Sequence, residues 1–178
     1  MKKRAFTLIE LLISIIILTI LMLFLYKSYA NLNKSNTLLN EEVQKISKIE
    51  KIKKAIVLDF TSALKQKPPL KSINIINQDT KTDIVFLQSS HSLHLRINPY
   101  IGYIVKDKIL YRIESLKPLV EFPLVADSEF IVEKLGAIKI FRVYEATNTK
   151  ASLYLVHLLF EDTTEILLRL NPLNLLEV

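Results

Sequence analysis

The chain has no cysteine among its 178 residues, which excludes a disulfide framework and a thiolate metal site. The redox compartment therefore leaves no mark on it. Glycine occurs only at Gly102 and Gly136, so no glycine-rich loop is present to cradle a phosphate. No serine or threonine sits in a recognisable nucleophile motif. His94 falls in the stretch SLHLRI, which reads as a strand, and His91 immediately precedes it. Their odd spacing puts them on opposite faces of such a strand, away from a shared metal. His157, inside the apolar stretch SLYLVHLLF, reads as a packed or rim residue. Asp127, Glu129 and Glu133 carry oxygen atoms suited to calcium, but without the spacing of a dedicated loop. Glu161, Asp162 and Glu165 read more simply as a polar turn. The expectation is no catalytic constellation, no metal site and no cofactor, hence no enzyme.

What is present is unevenly placed. The net charge is +6. Lys2, Lys3 and Arg4 precede an apolar run from Phe6 to Tyr26. From Lys27 to Lys71 there are 10 bases and 4 acids, whereas Ser72 to Val178 holds 11 bases and 13 acids. The basic excess thus lies beside the apolar run. A basic stretch contacts phospholipid headgroups or DNA, or is simply a solvated helix face.

The run of 21 residues has neither glycine nor proline, and only Thr7, Glu10, Ser14 and Thr19 are clearly polar. As a helix it spans roughly 30 Å, the thickness of a bilayer's hydrocarbon core. A cleaved signal peptide has a shorter apolar region and a small-residue cleavage site; here Ser28 and Ala30 offer only a weak one. A retained helix fits better. The bases ahead of it place the N-terminus in the cytoplasm and the rest outside.

Beyond the run, Leu39, Val43, Ile46, Ile49, Ile52, Ile56, Phe60 and Leu64 recur at steps of three or four, the period of an amphipathic helix. Glu41 with Lys45, and Glu50 with Lys54, add pairs in the favoured order. This stripe suits a coiled-coil seam or a β-sheet equally well. KPP at Lys67–Pro69 ends the helix. After Pro69 the pattern shortens to TDIVFLQS, SLHLRI, YIGYIVKD, ILYRIES, AIKIFRVYEA, SLYLVHLLF and EILLRL, all rich in β-branched and aromatic residues. Lys106–Lys108 and Thr147–Lys150 read as hairpin turns. Pro118, Pro123 and the residues between them read as loop or edge strand. The expected class is α+β: a mostly antiparallel sheet covered by one helix.

The stretch KKRAFTLIELLISI resembles the N-terminus of type IV prepilins and type II secretion pseudopilins. In that family a short basic leader is cut before a phenylalanine, the new N-terminus is methylated, and a glutamate stands fifth in the mature chain. The resemblance implies a cut between Ala5 and Phe6, methylation of Phe6, and an assembly role for Glu10. Ala5 stands where the family usually has glycine; it is still small. The helix-breaking residue and the C-terminal disulfide loop of many major pilins are absent. The charged stem and IGYIVKDKILYRIES look most like the J-type minor pseudopilins. The resemblance implies a pilin-like fold with a leader at 1–5, a transmembrane helix at 6–26, an amphipathic stem at 27–67 and a periplasmic β-rich domain at 70–178. It implies single-pass residence in a bacterial inner membrane, with no cofactor. The implied partners are prepilin peptidase, other minor pseudopilins or pilins, and the inner-membrane assembly platform. The implied role is a structural subunit at the tip of a type II secretion pseudopilus. A minor type IV pilin or a competence subunit contributing to DNA uptake is the alternative. The slight acidity of the C-terminal part weighs against DNA as a partner.

Overall fold

The computed structural model describes residues 7–66, 71–124, 129–148 and 151–173. Helix α1 runs from Leu8 to Thr61, 54 residues, or roughly 80 Å. Nothing in its sequence breaks it, and its hydroxyls are absorbed locally. Ser14 Oγ donates to the Glu10 carbonyl at 2.7 Å and Thr19 Oγ1 to the Ile15 carbonyl at 2.8 Å. Hydroxyls satisfied four residues back are compatible with an apolar surround. The chain divides into two compact units, 1–50 and 51–178. In the first, Leu39, Val43 and Ile46 are exposed and Ile49 is half-buried. In the second, Ile52, Ile56 and Phe60 are buried. The apolar stripe therefore enters a core only from Ile52 onward.

The helix ends ahead of Lys67, Pro68 and Pro69, which were expected to end it and lie outside the described residues. Strand-like pairing is the cause. Ala63 bridges Ser89, Leu64 N–H donates to the Gln88 carbonyl at 2.8 Å, and Ser90 N–H donates to the Ser62 carbonyl at 3.1 Å.

Seven strands follow: β1 (Ile73–Asn77), β2 (Asp83–Gln88), β3 (Tyr100–Lys106), β4 (Ile109–Ser115), β5 (Ile131–Asn148), β6 (Ala151–Phe160) and β7 (Glu165–Leu170). They form one antiparallel meander in chain order. β5 serves both halves of the sheet: its first part pairs with β4 up to Ala137, and its second pairs with β6 from Ile138 to Asn148. The register shifts at Leu110/Tyr111 and again between Ile138 and Ile140. Such bulges bend and twist a strand. The sheet accordingly curls, and Thr82 at the start of β2 meets Phe141 of β5 in a parallel bridge.

Six of the expected stretches are strands. SLHLRI is not: residues 89–99 form a loop, so the alternation argument for His91 and His94 does not apply. β1 was not anticipated. The turn at Lys106–Lys108 is a two-residue hairpin in which Asp107 and Lys108 both have positive φ, 52° and 60°. At the expected turn Thr147–Lys150, β5 and β6 pair as far as Asn148 with Ala151, and residues 149–150 lie outside the described set.

One core gathers Ile52, Ile56 and Phe60 with Val85, Leu87, Ile101, Tyr103, Phe141 and Val156. A smaller one, on the other face of β2 to β4, joins Ile84, Phe86, Ile104 and Ile113 to Leu119, with Leu124 and Phe130 packed on it. β2 and β3 are thus covered on both sides, which explains why they read as nearly continuous apolar runs. Gly102 lies where this second layer presses closest: a Cβ there would stand 3.1 Å from Phe86 Cε1 and 3.3 Å from Leu119 Cδ1. Gly102→Val is expected to cost about 1–3 kcal/mol by overpacking, read as a lower melting midpoint of the full chain in detergent.

Candidate functional site

Two features outside ordinary core packing stand out. The first is the start of α1. Thr7 N–H donates to Glu10 Oε2 at 2.9 Å, Thr7 Oγ1 donates to the same oxygen at 3.0 Å, and Glu10 N–H reaches Thr7 Oγ1 at 3.4 Å. This is a reciprocal capping box, spelled T-x-x-E in TLIE. The acid at the edge of the apolar run thus satisfies helix donors that lipid cannot. Every large apolar side chain from Leu8 to Tyr26 is exposed, between 50% and 83%. A helix apolar on all sides is suited to lipid or to packing among other helices. Length and composition allow it to cross a membrane. Ala5 and Phe6, the expected cleavage and methylation positions, lie outside the described residues.

The second feature is a buried charge cluster that the residue pattern did not disclose. Asp59, in the last turns of α1, is fully buried. Its carboxylate accepts from Tyr103 Oη at 2.5 Å on β3 and from Arg112 Nε at 2.7 Å and Nη2 at 3.0 Å on β4. A third partner, His91 Nδ1, stands 2.6 Å away in the 89–99 loop. Arg112 Nη2 also donates to Glu114 Oε1 at 3.2 Å, and Leu93 N–H donates to that oxygen at 3.0 Å. A carboxylate near a helix C-terminus is disfavoured by the macrodipole, and α1 has no base in its last turn. Arg112 supplies the missing cation. Burial works against its charge, but the hydrogen bonds and charge of Asp59, aided by Tyr103 and Glu114, outweigh it and raise its pKa. Burial also pushes the Tyr103 phenol well above its usual value, and the Asp59 charge adds to that. Tyr103 therefore acts as a neutral donor. The cluster ties the end of α1 to two strands and a loop at one point.

The signals for it were modest. Asp59 sits on the apolar stripe, seven residues after Ile52. Arg112 and Glu114 share the strand face of buried Leu110, so the polar row of β4 turns inward. His94 stands 3.8 Å from Glu114 and 3.9 Å from Glu133. Among the described residues no three such side chains are arranged to hold a metal ion. Asp127 lies outside the described residues, and Glu129 contributes its carbonyl to Arg96 at 3.2 Å. His157 is a rim residue on β6, paired with Glu165 at 2.8 Å. Glu161 and Asp162 lie in the β6–β7 turn, where Asp162 Oδ1 accepts from Thr164 N–H at 3.0 Å. A third buried acid, Asp83, accepts from Val143 N–H at 2.8 Å and faces Arg142 Nε at 3.3 Å. Burial raises its pKa, while Val143 and Arg142 pull it back.

One long N-terminal helix packed by its end on a curled antiparallel sheet is a pilin-like arrangement. Residues 1–26 match the family model of the prokaryotic N-terminal methylation motif, and this match supports a type IV pilin-like or pseudopilin subunit. No curated protein and no solved structure matches the chain.

Proposed function

We propose that the protein is a minor pseudopilin, a structural subunit of a type II secretion pseudopilus, working in its tip complex. The observation that carries this reading is the methylation motif at residues 1–26 leading into a capped helix that is apolar on all sides at its start and ends on a small antiparallel sheet. On this reading prepilin peptidase cuts between Ala5 and Phe6, and the amine of Phe6 is methylated. The subunit waits in the inner membrane as a single-pass protein with its sheet domain in the periplasm. The assembly platform then moves the apolar helix from lipid into a filament core, where neighbouring helices replace the acyl chains. Glu10 pairs there with a cationic N-terminus, its own or that of a neighbour, and sets the axial register of helices that apolar packing alone would let slide. A minor type IV pilin or a competence subunit remains the second reading. Its DNA arm is favoured only by the basic stretch of the stem, since Ser72 to Val178 has 11 bases and 13 acids.

Mass spectrometry of the membrane-extracted protein is the direct test. The expected mature chain begins at a methylated Phe6. A mature N-terminus beyond Tyr26 would show a secreted protein and end the pilin reading. Copy number tests the tip assignment: the subunit is expected to be scarce in purified filaments, and its being the most abundant subunit along the shaft would overturn it.

A further inference from the structure

The slightly acidic sheet domain concentrates positive charge in one place. An open cleft of about 800 Å³ lies between the β1–β2 turn, the β3–β4 hairpin turn and the bend of β5. Lys81, Lys106, Lys108 and Lys139 line it, four of the 11 bases between Ser72 and Val178. Each is exposed, and none of their ammonium groups forms an ion pair among the described residues.

Three acids also line the cleft: Asp79, Asp107 and Glu161. Asp79 is already engaged, its Oδ1 accepting from Lys81 N–H at 2.6 Å and Thr82 N–H at 2.7 Å. Arg142 stands beside it, donating to the Asp79 and Thr80 carbonyls. Asp107 and Glu161 are thus left to face four lysines. Elsewhere between Ser72 and Val178 acids outnumber bases, so general solubility does not account for the clustering.

The lining is not polar throughout. Phe122 is exposed and Ile140 and Leu159 are half-buried in it, while Val105 and Ile138 are buried and belong to the core beneath. The register shift between Ile138 and Ile140 leaves Lys139 as the extra residue of a bulge, a device that re-aims a side chain. Unpaired cations around apolar ground match a ligand that is both acidic and apolar.

We propose that this cleft docks an acidic, apolar peptide segment of a partner protein. The lysines steer and register the segment, and the apolar ground takes its alternate side chains. The proposal rests on the sheet domain alone and stands whether or not the chain assembles as a pseudopilin.

The probe is a short fluorescein-labelled peptide alternating glutamate and leucine, titrated by polarisation against the full chain in zwitterionic nanodiscs. A lysine–leucine peptide, a glutamate-only peptide and a DNA duplex serve as comparison probes. The glutamate–leucine peptide is expected to bind more tightly than each of these, and to weaken as salt rises. The paired charge reversals Lys81→Glu/Lys139→Glu and Lys106→Glu/Lys108→Glu are each expected to weaken it at least tenfold. All four side chains are exposed, so an unchanged melting midpoint confirms that each variant is folded. Leu159→Asn removes apolar ground without charge and is expected to weaken the alternating peptide, leaving the glutamate-only peptide unchanged. Equal binding by parent and charge-reversed proteins would overturn the proposal. So would tighter binding of DNA through the same lysines, which would mark a phosphate site.

Discussion

Replacing Arg112 with methionine is expected to destabilise the sheet domain by about 3–5 kcal/mol, the cost of leaving buried charge uncompensated. Asp59 and Glu114 are both fully buried, and Arg112 is hydrogen-bonded to each. Such a loss is a large share of a domain's usual net stability of about 5–15 kcal/mol. Melting the full chain in detergent gives the measurement. Removing the whole cluster, as Asp59→Leu with Tyr103→Phe, Arg112→Met and Glu114→Leu, is expected to recover much of the loss, because no buried charge is then left uncompensated. If the single Arg112→Met variant melted like the parent, the cluster would not anchor the helix end.

The second large effect concerns Glu10 and follows from the proposed assembly role. Glu10→Leu is expected to leave membrane insertion intact and to reduce recovery of the protein with the other subunits at least several-fold. The variant also removes the capping box, so a second substitution is needed. Glu10→Gln keeps a side chain that reaches back to the Thr7 N–H, but has no charge. If the carboxylate pairs with a cationic N-terminus on docking, both variants lose incorporation. If only the leucine form loses it, Glu10 acts as a cap alone. An acid near the membrane interface costs less than the roughly 3 kcal/mol of one at the helix centre, so insertion tolerates it in the absence of a partner. Co-purification from membranes, scored for both variants against the parent, separates these outcomes.

Much of this architecture is a matter of local periodicity, and local periodicity is written in the chain. The apolar run without glycine or proline makes α1, and TLIE spells the cap that starts it. DIVFLQ, YIGYIVK and ILYRIES are strands because alternating or continuous β-branched residues suit a pleated sheet, and a two-residue turn joins the last two. Tertiary structure decided the rest. SLHLRI has strand-forming residues, yet it is a loop, because its backbone and Arg96 serve the cluster beneath the helix end. Leu93 N–H binds the Glu114 carboxylate, and Arg96 Nη1 binds the Glu114 and Glu129 carbonyls. β1 is only five residues with an asparagine at two of them; it is a strand because β2 offers it an edge. The helix stops at Thr61 because Ala63 and Leu64 find strand partners at Ser89 and Gln88. Asp59 and Arg112 are 53 residues apart, and the lysines of the cleft come from three separate elements. Propensity and period act over a few residues, whereas the burial of a charge depends on which distant cation the fold brings against it.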